Sequence, residues 1–355
     1  MFELVRRDRA SLAMACLAPV LALGATAIVS WALFAALGVP AGHALWTLAA
    51  SPFTNWYDFS EVLLKMGPLL LIAQGLAIGF RARVFNIGAE GQLILGAIFA
   101  SILPVMAPGA TSPVLWVAMM AMGMAGGALW AGIAAFWRTR LNANEILVTL
   151  MLSLVAVQLL NWLLLGPWKD PAGFNFPQTV MFPFEALLPA LLPGTRVNIS
   201  LLFALVASGA AYVLMQKSLA GYRLIVTGTA PRAAGYAGFS AARGVWISLL
   251  VSGAAAGLAG AAEVAGPLGQ LQRSVSQGYG FAAIIVAYLG GLHPLGILVS
   301  SFVMSAIYIG GDNATVFADL PQAAVRVVQG LLLIFYLIAV TLVRYRIVPL
   351  RGSSA

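Results

Sequence analysis

Long apolar runs separated by short polar breaks set the pattern of this chain. A membrane crossing needs about 20 apolar residues. The runs predict ten crossings, at roughly 11–38, 61–80, 84–103, 113–137, 146–166, 199–216, 244–266, 281–291, 295–311 and 323–343. The eighth run is too short to cross alone and is expected to be tilted or half-inserted. The expectation is therefore all-α: a polytopic bundle of about ten spans forming one transmembrane domain over 1–355. A cytoplasmic loop is expected at 217–243 and an extracytoplasmic loop at 167–198.

Composition removes the soluble alternatives. Of 355 residues, 61% are hydrophobic and 8% charged, whereas a soluble domain carries about 25% charged residues. Charge then orients the bundle. With the N-terminus inside, the cytoplasmic breaks hold Arg6, Arg7, Arg9, Arg81, Arg83, Arg138, Arg140, Lys217, Arg223, Arg232, Arg243, Arg344, Arg346 and Arg351, fourteen of the 19 lysines and arginines. Basic residues accumulate on the cytoplasmic side, so both termini are expected there. Six of the eleven acids, Asp58, Glu61, Asp170, Glu185, Asp312 and Asp319, fall on the outer side. The start, MFELVRRDRA, mimics a secretory signal, but the uncharged stretch 11–38 exceeds the usual ~7–15-residue apolar region. An uncleaved first span is expected, with Cys16 an inert thiol within it.

Candidate chemistry is narrowed first by absences. The two histidines, His43 and His293, lie far apart, and the phosphate loop GxxxxGK[ST] is missing. No plausible nucleophile–base pair is present, so an enzyme is not expected. Polar groups within spans are costly and therefore informative. Gln74 is one; Asn86, Glu90 and Gln92 stand beside Gly88 and Gly91 at the start of a run. That arrangement predicts either a broken helix whose backbone faces a cavity, or a tight turn with Glu90 paired to Arg81 or Arg83. Asn144 is a helix cap, with Glu145 placed favourably at the positive helix end, while Gln158 and Asn161 lie deeper and can line a path. Glu263 stands near the outer end of a span. Gly123-x-x-x-Gly127 and Gly253-x-x-x-Gly257 predict backbone-to-backbone helix contacts. The outer loop 167–198, rich in Pro and Phe, is expected to fold back over the bundle mouth.

The basic break QKSLAGYRLIVTGTAPRAAGYAGFSAARG, 216–244, has no acidic residue and contains Pro231 in the first turn of a short helix. Its YRLIVTGTAPRAAGYAGFS resembles the coupling segment of permeases from binding-protein-dependent ABC importers, in the group for simple sugars, branched-chain amino acids and nucleosides. The segments FNIGAEGQ, NEILVTLML and GYGF to HPLG also resemble motifs of the nucleoside-type branch. Ala282, Gly291, His293 and Gly235 depart from that branch's usual residues. The resemblance implies that Tyr222, Arg223, Pro231, Arg232, Ala233, Ala234, Tyr236, Ala237 and Gly238 dock on an ATPase. It implies two cytoplasmic ATPase subunits, a second permease copy or paralogue, an extracytoplasmic solute-binding protein and a bacterial plasma membrane. ATP would be bound by the partner subunits and no cofactor by this chain; nucleic acid is not an expected partner. The favoured solute is a nucleoside, with simple sugars next. A self-sufficient secondary transporter is the competing class, with only Glu90 and Glu263 as titratable candidates.

Overall fold

The computed structural model describes the backbone of residues 2–6, 12–107, 109 and 112–349, and side-chain surroundings for 20–107, 109, 112–339 and 341. Cys16 and the arginines at both chain ends lie outside the described side chains. The elements are strand β1 (Phe2–Arg6) and helices α1 (Leu12–Ala36), α2 (Ala41–Ala50), α3 (Trp56–Arg81), α4 (Ala89–Met106), α5 (Leu115–Leu141) and α6 (Glu145–Leu165). After the 167–198 loop come α7 (Ser200–Lys217), α8 (Leu219–Thr229), α9 (Pro231–Tyr236), α10 (Ala241–Glu263), α11 (Tyr279–Leu289), α12 (Pro294–Phe317), α13 (Gln322–Arg344) and strand β2 (Tyr345–Pro349). Among the described residues the structure is helical apart from one antiparallel ribbon, β1 on β2, in which Phe2 faces Pro349 and Arg6 faces Tyr345.

Among the described residues, eight helices are long and apolar enough to cross a membrane: α3, α4, α5, α6, α7, α10 with its extension to Leu268, α12 and α13. The expected ten reduce to eight for two separate reasons. In α1 only Val20–Ala36 is assessed. The eighth run is α11, whose 11 residues reach about 16 Å at ~1.5 Å per residue, half of a ~30 Å hydrocarbon core. The structure also adds α2, a ten-residue helix that the run pattern does not predict.

Residues divide into two units, 1–58 with 306–355, and 59–305. In the first, Phe34, Ala44 and Leu48 share a core with Ala314, Leu320 and Val328. Asn313 Nδ2 donates to Ser51 Oγ at 3.0 Å. In the second, α3 is the central helix, with 89% of its apolar window buried, whereas α6 and α7 bury 28% of theirs. The glycine pairs make the close helix contacts that the sequence predicts. A Cβ at Gly257 would strike the carbonyl of Gly123, and one at Gly127 would strike that of Gly253. Gly96 of α4 lies against the backbone of Gly257 in the same way. Three helices thus share one crossing without side chains between them, which is how membrane helices approach closely.

The 167–198 loop is pinned rather than loose. Thr179 N donates to Leu271 O, Phe182 N to Gly269 O and Leu188 N to Ala265 O. Arg196, on the same loop, makes a two-pronged ion pair with Glu61 of α3, at 2.9 and 2.5 Å.

Candidate functional site

The second unit holds a layer of buried polar side chains around the broken stretch between α3 and α4. Residues 82–88 leave the helix: Arg83 has φ 55, and Val84 N returns to Gly79 O at 2.9 Å. This break delivers Asn86 into the interior. Its Nδ2 donates to Gln92 Oε1 and to Ser252 Oγ, both at 2.8 Å, and its Oδ1 accepts from Gly88 N and Gln92 Nε2. Asn86 and Gln92 are each 1% exposed. Gly88 and Gly91 make the close approach to α6, where a Cβ would overlap Thr149 and Ser153. The glycines of the GAEG stretch are therefore packing requirements, and the amides are its polar content.

Glu90 does not pair with Arg81 or Arg83. Its Oε1 accepts from Ser276 Oγ and Gly278 N at 2.9 Å, and its Oε2 from Gly280 N at 2.6 Å. It caps the N-terminus of α11, where Gly278 has φ 84. The carboxylate meets both the free N–H groups and the positive end of the helix dipole. Near the same end, Lys65 Nζ of α3 donates to Gln277 Oε1 at 2.8 Å and Tyr279 OH at 2.5 Å. At the other end of α11, Tyr288 stacks on Phe80, the residue before the last of α3, with centroids 5.2 Å apart. Pro294 O accepts from Gln74 Nε2 at 2.9 Å. Helix α11 therefore occupies the part of the layer from Lys65 to the Arg81 end of α3, and 269–278 precede it as irregular backbone. Irregular backbone at membrane depth is tolerated where protein or a polar cavity surrounds it.

The remaining path candidates separate. Gln74 lies in the layer, its Nε2 also bonded to Ser208 Oγ at 2.6 Å, and its Oε1 without a partner. Asn161 is half-buried on α6, but Gln158 is exposed and does not join the others in this chain. Asn144 caps α6 through Ile146 N at 2.9 Å, and Glu145 pairs with Arg138 at 3.1 Å. Sequence reasoning missed Lys65, Ser252, Gln277 and Tyr279 as members of the layer. Lys65, a charge within an apolar run, was the available signal. Exchanging the buried amide in Asn86→Leu leaves Gln92 and Ser252 without their partner. Uptake per inserted molecule is expected to fall by at least tenfold, and less protein to reach the membrane because each orphaned buried group costs about 1–3 kcal/mol, both read by transport assay beside quantitative blotting.

The basic break forms two helices. Ser218 caps α8 through Gly221 N at 3.1 Å. Pro231 starts α9, and Gly238 closes it at φ 75 with Phe239 N returning to Ala234 O. Pro231, Arg232, Ala233, Tyr236, Ala237 and Gly238 are exposed, Tyr236 at 96%. Tyr222 is exposed, and Arg223 lies over the Phe239 ring at 5.3 Å. Ala234 is fully buried; it belongs to the packing of this segment and not to its outer face. Gly228 of α8 sits against the backbone of Ala82, so this segment touches the break that carries Asn86.

Residues 59–337 match the family described as branched-chain amino acid transport system / permease component. The chain is 34% identical to the glucose ABC transporter permease protein TsgB13 of Haloferax volcanii, over 93% of this chain and 89% of the relative. It is 29% identical to the guanosine ABC transporter permease protein NupP of Bacillus subtilis, over 90% and 91%. To the nucleoside ABC transporter permease protein NupB of Lactococcus lactis it is 28% identical, over 78% of each. No solved structure matches. With its buried polar layer, its eight membrane-length helices and these matches, the chain belongs to the permease components of this transport family, as a multi-pass protein of the inner membrane.

Proposed function

We propose that the buried layer lines the import path of a small solute carrying a sugar ring, a nucleoside in the first reading. The observation that carries it is the juxtaposition of amides and aromatic faces. The Asn86–Gln92 pair holds both donors and acceptors, here engaged with each other, Ser252 and Gly88 and released to a solute only when the pair opens. Phe85, the neighbour of Asn86, faces Phe80 at 5.7 Å, with Tyr288 beyond. A purine presents complementary edges and a stacking face. The guanosine and nucleoside permeases among the relatives support this reading. The glucose permease favours a simple sugar as the second one.

The chain itself carries out no reaction. ATP is bound and hydrolysed by two cytoplasmic ATPase subunits seated on α8 and α9. A second permease, identical or paralogous, completes the path, and an extracytoplasmic binding protein delivers the solute. Force enters at the exposed face of α9, passes through α8 to Ala82, and reaches Asn86, Glu90 and α11. The pairing of β1 with β2 supports an even number of crossings. Counting α1 and treating 269–289 as one broken span gives ten, with both ends cytoplasmic.

Two measurements test this. Uptake of radiolabelled guanosine by the reconstituted importer is expected to saturate and to resist excess glucose; competition in the reverse sense selects the second reading. For topology, in a Cys16→Ala background, Phe176→Cys should react with an impermeant thiol reagent in intact cells, and Thr229→Cys only after lysis. Both positions are exposed. Reaction of Thr229→Cys from outside would invert the orientation.

A further inference from the structure

Helices α5 and α10 leave an open apolar groove of about 690 Å³ on the outside of the second unit. Its α5 side carries Ala125, Ala128, Gly132 and Trp137, and its α10 side Trp246 and Leu250. From Ala125 to Trp137 the groove runs about 18 Å along the helix, at ~1.5 Å per residue. That is close to one leaflet of a ~30 Å hydrocarbon core. The volume falls within the ~300–1,000 Å³ of pockets that hold small ligands.

One end of the groove is marked as the membrane interface. Trp137 is exposed there, and Trp246 Nε1 donates to Thr139 Oγ1 at 3.2 Å. Tryptophan with a satisfied polar tip is characteristic of that level. One turn further out stand two exposed guanidiniums, Arg140 on α5 and Arg243 on α10. Arg138 is engaged by Glu145, whereas neither Arg140 nor Arg243 has a side-chain partner among the described residues. An apolar slot one leaflet deep, closed by tryptophans and surmounted by two unpaired cations, fits one molecule well. We propose that this groove retains an anionic phospholipid, one acyl chain lying on Ala125–Gly132 and the phosphate between Arg140 and Arg243.

The charge argues for this occupant against a second protein. A partner helix would fill the slot with side chains but leave two like charges facing each other, whereas an anionic headgroup joins them. The floor is suited to a chain because it is built from small residues. A Cβ at Gly132 would meet Leu250 Cδ2 and Trp246 Cζ3 at ordinary contact distances of 3.7 and 3.8 Å, so the helices at this point are not in the tight backbone contact seen at Gly123 and Gly257.

The test uses the full-length permease reconstituted in bilayers of phosphatidylcholine with a minority of phosphatidylglycerol. After gentle extraction, retained lipid is identified by native mass spectrometry. Wild type is expected to retain phosphatidylglycerol enriched several-fold over its share of the bilayer. Ala128→Phe fills the slot, and Arg140→Gln removes a headgroup contact; each should return the retained lipid to the bulk ratio, while Arg140→Lys keeps the enrichment. Arg140→Gln lies outside the packed interior, so it reads the proposal even if Ala128→Phe folds poorly. No enrichment in wild type, or enrichment unchanged in Arg140→Gln and Ala128→Phe, overturns the proposal. So does a disulfide between two permeases carrying Ala125→Cys, which would place a second copy in the groove. Lipid retention is read without transport, so it stands or falls apart from the solute assignment.

Discussion

Replacing Glu90 by leucine is expected to abolish transport and to destabilise the permease so far that little reaches the membrane. Three donors converge on this carboxylate: Ser276 Oγ, Gly278 N and Gly280 N. Leucine would leave two backbone N–H groups and a hydroxyl unpartnered in an interior where Glu90 itself is 2% exposed. Each orphaned buried group costs about 1–3 kcal/mol, so the loss is on the order of 5 kcal/mol. That consumes much of a typical stability margin of ~5–15 kcal/mol. Glu90→Gln separates charge from shape. An amide oxygen at the Oε1 position still accepts from Ser276 and Gly278, but its NH₂ would face the Gly280 N–H across 2.6 Å. The expected outcome is assembled protein with reduced uptake and a melting temperature several degrees lower, followed by size-exclusion fluorescence on heating. Wild-type stability and uptake in Glu90→Leu would show that α11 keeps its position without this cap.

The second large effect is expected at α9. Ala237 is exposed, and a six-residue helix bears it clear of the bundle. If that face seats on an ATPase, Ala237→Glu places a bulky charge in a close-packed contact. An unpaired charge buried at an interface costs several kcal/mol, or a hundredfold and more in affinity. Membrane insertion should be normal, the ATPase should be lost during purification, and solute-stimulated ATP hydrolysis should vanish. Arg232→Ala should be mild, since an exposed pair contributes ~0–1 kcal/mol. Ala234→Glu reads differently. Ala234 is fully buried in its own chain, so this change should disorder α9 itself and lower ATPase binding without testing the docking face. Full assembly and coupling in Ala237→Glu would make the segment a solvated connection.

What could be read in the sequence divides by the range of the interaction. Helix positions followed from apolar run length, and Pro231 and Asn144 announced helix starts because capping is local. The spacings Gly123–Gly127 and Gly253–Gly257 announced close helix packing, but that the two pairs meet each other, with Gly96 beside them, only the structure supplies. The partner of Glu90 was not legible: Arg81 and Arg83 lie nearby in the chain, but the groups that hold it lie near 276–280. Gln158 was drawn to the path because polar residues in spans usually turn inward, yet the covered face of α6 is the one that carries Thr149, Ser153 and Ala156, and Gln158 lies off it. The inward turn of Ala234 depends on where the chain goes after Gly238. Six residues of helix could not reveal it.

The ribbon of β1 on β2 has a consequence for biosynthesis. Phe2–Arg6 leaves the ribosome long before its partner Tyr345–Pro349. During synthesis α1 precedes α13, against which it packs, by the whole of 59–305, whose elements can already pack on one another. Until α13 and β2 follow, α1 lacks its partner helix and β1 keeps a free strand edge, an aggregation hazard that ends only when the ribbon closes.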